Sequence, residues 1–154
     1  MRVVGASRRG LAVAEGIIER VESPARVAAL ADHLVLALPL TPATLRIIDA
    51  AFIANLRPGA HLINVARGPL VDQEALLAAL ERGQVGFATL DVTEPEPLPQ
   101  DHPLRTHPQV LITPHVSWSS DSGSAALQRR RNRDIDRFLA GLPPLDAVDP
   151  DQRC

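Results

Sequence analysis

The chain contains no lysine and no tyrosine, one tryptophan (Trp118), three phenylalanines and a single cysteine, Cys154, at its last position. Without lysine there is no Schiff-base catalysis. A lone terminal cysteine leaves no internal disulfide and no thiolate metal cluster, and points to a reducing cytoplasm. The shortage of aromatics removes the stacking platforms that single-stranded nucleic acid requires. No apolar run reaches the ~18 residues of a membrane span, so no membrane partner is expected. Met1-Arg2 meets only a few apolar or small residues before Ser7-Arg8-Arg9, which does not read as a secretory leader.

What is present is ordinary globular material: 154 residues, 45% of them hydrophobic and 22% charged. That length suits one domain with a real core. The 16 basic residues, all arginine, nearly balance 18 acidic ones for a net charge of −2. Such a balance gives no field that would gather nucleic acid or anionic lipid. The core has to be built from Ala, Leu, Val and Ile, as in proteins of helices and parallel strands.

The order of elements follows from run length and turn chemistry. Residues 2–6 (RVVGA) read as a short strand, and residues 17–21 are ambiguous. Ser23-Pro24 is an N-cap with proline at the first helical position, opening a helix to about Asp32. Residues 33–38 (HLVLAL) form a continuous apolar run ended by Pro39, the pattern of a strand buried on both faces, and residues 60–66 (AHLINVA) repeat it. Between them residues 49–56 have helical spacing and close on Arg57-Pro58-Gly59. Asp72 caps a predicted helix over 73–82, with Ala75, Leu76, Ala79 and Leu80 on one face and Gly83 as its stop. Residues 85–90 (VGFATL) are a strand delivering Asp91 at its carboxyl end. A proline-rich, irregular but ordered loop over 93–108 leads into a strand over 110–113. Ser120 or Asp121 caps a last helix to about Leu139. Strands and helices alternating in this way predict an α/β fold with a mostly parallel sheet.

In open parallel sheets ligands bind beyond the carboxyl ends of the strands. The residues there are Ser7-Arg8-Arg9, Pro39-Leu40-Thr41, Arg67-Gly68, Asp91 through Glu96, and Pro114-His115. An arginine fork suits a carboxylate, and a histidine can give or take a proton near neutrality.

Four segments, LVLALPLTPAT (34–44), LINVARGPLVDQEALLAAL (62–80), GFATLDVTEPEPLP (86–99) and VLITPHVSWSS (110–120), closely resemble the nucleotide-binding domain of the D-isomer-specific 2-hydroxyacid dehydrogenases, particularly their glyoxylate/hydroxypyruvate reductase branch. The resemblance covers residues 1–148, leaving 149–154 as a tail. It implies a Rossmann-type doubly wound parallel sheet and an oxidoreductase that moves a hydride between NAD(P)H and a small 2-keto or 2-hydroxy acid. It makes Arg67 the group that binds the substrate's carboxylate and keto oxygen, His115 the acid/base, and Glu96 the partner that keeps His115 a proton donor. Asp91 would meet the nicotinamide carboxamide, with Leu38, Pro39, Val65, Ala66 and Trp118 lining the cofactor channel. The family is typically homodimeric. An Arg after the strand that reads the adenosine ribose accommodates a 2′-phosphate, so Ser7, Arg8 and Arg9 favour NADP over NAD.

The family's G-x-G-x-x-G turn is not in this sequence. The resemblance enters at the family's second strand, so the first strand, the fingerprint helix and most of the substrate domain are expected to be missing. An incomplete cofactor domain of this kind is expected to expose apolar edges beside strands 2–6 and 33–38, and to have little or no activity by itself. The alternative is a non-catalytic interaction module that binds a partner through the truncated sheet.

Without this context His115 reads as a structural or surface histidine and Arg67 as a surface ion-pair residue; their joint spacing with Glu96 is what favours function. Glu94 competes with Glu96, and spacing from Asp91 favours Glu96. His33, His61, His102 and His107 show no partner pattern and read as structural or exposed, and no metal site is expected. The basic run Arg129-Arg130-Arg131-Asn132-Arg133 reads as a solvated helix face because Asp134 and Asp136 interleave with it.

Overall fold

A computed structural model describes residues 1–6 and 18–145 of the chain. The expected sites at Ser7, Arg8 and Arg9, and the tail 149–154, lie outside the described residues. The chain divides into two units, residues 1–114 and 115–154.

Among the described residues the first unit holds six parallel strands in two sheets. Strand β1 (Val4–Gly5) pairs with β2 (Glu19–Arg20), and β3 (His33–Leu36), β4 (Ala60–Asn64), β5 (Val85–Leu90) and β6 (Val110–Ile112) form a four-stranded sheet in that order. The strand expected over 2–6 is thus only two residues long, and the ambiguous stretch before Val21 supplies its partner. Among the described residues β1 and β3 are not paired with one another, and β3 is an edge.

The helices begin where the side chains cap them. Ser23 accepts the amide of Arg26 at the start of α1 (Pro24–Leu30), and Asp49 accepts that of Phe52 at the start of α2 (Ala50–Ala54). Asp72 accepts both Glu74 and Ala75 amides at α3 (Gln73–Glu81), which ends at Gly83 with φ +70°. The loop expected over 93–108 is ordered and includes one short helix, α4 (Pro103–Thr106), anchored by buried Leu104.

Leu34, Leu36, Leu62, Ala88 and Leu90 from the strands pack with Ala28, Ile53, Leu76, Ala79, Leu80 and Leu104 from the four helices in one core. Completely burying Leu62 or Leu76 contributes about 1.5–3 kcal/mol each. The expectation that residues 33–38 are covered on both faces is corrected: β3 alternates exposed and buried, and β4 alternates intermediate and buried. The row Val35, Ile63, Thr89 and Leu111 runs across the sheet in register, with Val35 54% and Leu111 50% exposed. The reason is that the helices of the described core supply partners to the Leu34–Leu62–Ala88 face alone. An apolar run reveals what a strand could bury, not what its neighbours cover.

In the second unit α5 (Asp121–Leu139) is capped by Ser120, which accepts the amide of Gly123, and stops before Gly141 at φ +72°. Among the described residues no helix is long and apolar enough to cross a membrane.

Candidate active site

The carboxyl ends of β4 and β5 build the centre of the candidate site. Asn64, 1% exposed and last in β4, donates from Nδ2 to the Arg67 carbonyl at 2.9 Å and accepts the Ala66 amide on Oδ1 at 3.1 Å. One buried amide therefore folds the Val65-Ala66-Arg67 turn and leaves the Arg67 side chain exposed. The backbone oxygen of the same Asn64 accepts the amide of Asp91 at 3.0 Å, which ties the two strand tips together. Asp91 is 2% exposed, and the Thr113 hydroxyl donates to its Oδ1 at 2.5 Å, so the tip of β6 joins as well.

Gly68 explains why the turn lies where it does. A Cβ at this position would sit 2.0 Å from the Thr93 carbonyl oxygen, so only glycine lets the Arg67 turn press onto the start of the proline-rich loop. That loop is fastened further on. Gln73 at the start of α3 donates to the Glu94 carbonyl and accepts the Glu94 amide, Thr93 Oγ1 donates to the Pro95 carbonyl, and buried Leu98 anchors the far side. Arg67 and Glu96 are thus both exposed groups on backbone that is held tightly. The turn after β3 is braced by Thr44, whose hydroxyl donates to the Pro39 carbonyl at 2.8 Å; Leu38 there is half-buried and Pro39 exposed.

His115 and Trp118 belong to the second unit. His115 has φ +54°, a left-handed conformation that costs a residue with a Cβ about 1–2 kcal/mol. The Trp118 indole N–H donates to its carbonyl at 3.0 Å and helps to hold that conformation, while Trp118 itself is 67% exposed. Arg46, in the turn after β3, shares this left-handed conformation at φ +50°. A shallow concavity of about 490 Å³ in this unit is lined by Arg129, Asn132, Arg133, Asp136 and Arg137 and includes none of the expected site residues.

Sequence reasoning missed Asn64, Gly68, Gln73 and Thr113 as supports. It also missed a pairing of histidines: His33 and His61 are register partners on β3 and β4, with their Nδ1 atoms 3.3 Å apart. Burial, and secondarily the charge of His33, lower the pKa of His61 below its usual 6.5. His102 and His107 are local caps, accepting the amides of Leu104 and Gln109 on Nδ1.

A parallel α/β sheet with a buried carboxylate, an arginine and a fastened polar loop at its carboxyl end has the layout of the doubly wound nucleotide-binding folds. The sequence profile of the D-isomer specific 2-hydroxyacid dehydrogenase NAD binding domain matches residues 1–117. The chain belongs to that family. It is 52% identical over 112 residues to glyoxylate/hydroxypyruvate reductase A of Serratia proteamaculans, covering 73% of this chain and 35% of the relative. The fold superposes with TM-score 0.84 on a D-isomer specific 2-hydroxyacid dehydrogenase from Xanthobacter autotrophicus in complex with NADPH and MES, at 40% identity, covering 97% of this chain and 62% of that one. D-lactate dehydrogenase of Lactobacillus jensenii with NAD+ also gives 0.84, at 26% identity over 96% of this chain and 48% of that one. The chain spans little more than a third of the length of curated relatives such as the Serratia reductase.

Proposed function

We propose that the chain carries the nicotinamide-facing and acid/base part of an NAD(P)-dependent reductase of small 2-keto acids, of the glyoxylate or hydroxypyruvate kind. The observation that carries this is the rim on which Asn64 joins the Arg67 turn to Asp91. A carboxylate almost removed from water at one strand tip, next to the Val65-Ala66 turn at the adjoining tip, fits a carboxamide and an apolar ring. Bound at this rim, NAD(P)H would supply a hydride to the substrate's keto carbon. Arg67 binds the substrate carboxylate and leans on the keto oxygen, where negative charge develops. His115 donates the proton that this oxygen takes up, with Glu96 proposed as its carboxylate partner. Leu38, Pro39 and Trp118 border the cofactor. Arg8 and Arg9, with Ser7, receive a 2′-phosphate, which favours NADPH, and the setting is a reducing cytoplasm.

The pyrophosphate end has no glycine-rich turn in this sequence, so the isolated chain is expected to turn over glyoxylate poorly, and the homodimer typical of the family is proposed for the whole enzyme. The test is a titration of the 154-residue chain with NADPH and NADH, followed by Trp118 fluorescence. Saturation tighter than ~1 mM, stronger for NADPH, supports the reading. A folded chain that binds neither cofactor overturns cofactor binding by this chain: the rim would be idle here, and function would be sought in a longer polypeptide or in the interaction module, with β3 as the open edge among the described residues.

A further inference from the structure

On the face of the four-stranded sheet opposite to α1 to α4, three rings of the first unit lie in one row: His33 on β3, His61 on β4 and Phe87 on β5, in direct register. The His33 and His61 rings meet edge-on at a centroid distance of 5.4 Å with Nδ1 atoms 3.3 Å apart, and His61 meets Phe87 edge-on at 5.3 Å. The second nitrogen of His61, Nε2, is 2.9 Å from the Thr89 hydroxyl. His33 is exposed and His61 half-buried.

We propose that His33 and His61 form a two-imidazole site for a divalent transition cation of the zinc and copper class. Two nitrogens bound at ~2.0–2.1 Å to one tetrahedral ion lie about 3.3–3.4 Å apart, which is the separation already present. A ligating histidine works best when its other ring N–H is given to a fixed acceptor, and Thr89 Oγ1 is in place for Nε2–H of His61. Ligation through Nδ1 takes the His61 tautomer whose proton is on Nε2 and is given to Thr89 Oγ1. In that tautomer His33 is the Nδ1–H donor of the unliganded pair, and on ligation this exposed ring moves its proton to Nε2 through solvent, with no net proton lost. Imidazole favours zinc and copper over magnesium and calcium. Among the described residues no third His, Cys, Asp or Glu joins the cluster, so water or an outside ligand completes the coordination. The ion would clip edge strand β3 to β4 and leave its remaining positions open to solvent.

The experiment is calorimetric titration of the intact, tag-free chain with ZnCl2, and separately CuCl2, together with His33→Gln and Thr89→Val. The expected result is one ion per chain, held more tightly for copper, weakened about tenfold or more by His33→Gln and roughly 10–100-fold by Thr89→Val. MgCl2 is expected to give no heat above dilution. Because His33 is exposed, its replacement leaves the core untouched, and a zinc-dependent rise in Tm of the unsubstituted chain gives a readout free of any substitution. Binding weaker than ~1 mM, or binding that His33→Gln leaves unchanged, overturns the proposal.

Discussion

The two faces of the four-stranded sheet are made from the same strands, yet they differ in almost every physical respect. One carries Leu34, Leu36, Leu62, Ala88 and Leu90 into a core closed by α1 to α4; the other presents His33, Val35, His61, Phe87 and Leu111. Alternation along the strand places both sets with equal necessity. What separates them is that α1 to α4 lie opposite the first alone, so the stability these helices give is concentrated there while the second carries rings and imidazoles.

The largest effect should come from the closed face. Leu62→Ala, at a side chain with no exposure, is expected to cost about 2–5 kcal/mol, read as a lower urea midpoint. Val35→Thr in the same sheet should stay within ~0.5 kcal/mol, and equal costs would erase the contrast between the faces. Gly68→Ala is expected next, about 1–3 kcal/mol, because its methyl meets the Thr93 carbonyl; differential scanning calorimetry would detect it as a lower Tm.

A smaller effect distinguishes the open face by pH. The pKa of His61 is lowered in the folded chain, by burial first and by His33 second, so the unfolded chain takes up its proton at higher pH than the folded one does. Its contribution is fully present above the unfolded value of 6.5 and is lost as pH falls through the lower folded value. Denaturant midpoints should therefore fall on acidification below ~6.5 in the parent and fall less in His61→Gln; identical profiles would refute the assignment. Smallest of all is Asp32→Asn, which removes the exposed 2.8 Å ion pair with Arg57 and should change stability by less than ~1 kcal/mol, and less still in high salt.

Much of the fold was legible where local chemistry decides. The Asp72 cap, the end of α3 at Gly83 and the limits of β5 were readable because a capping carboxylate, a left-handed glycine and a bounded apolar run act within a few residues. β1 shrank to two residues, and β3 lost a covered face, because both depend on neighbours far away in sequence. The same division runs through the site. Arg67, Asp91, Glu96 and His115 were proposed from motif and strand-end position. The contact of Gly68 with Thr93 and the meeting of His33 with His61 join segments far apart in the chain, and no local pattern announces them.

Asn64 gives the rim a distinctive place on the scale of motion. Binding loops are drawn largely from the parts of a protein that open most readily. Here the amides of Ala66 and Asp91 both end on the same buried residue, and the Thr113 amide ends on Leu90 of the adjoining strand. Their protons should exchange with solvent only when the sheet itself comes apart, among the slowest in the chain, so the surface that meets a ligand would keep the same clock as the core.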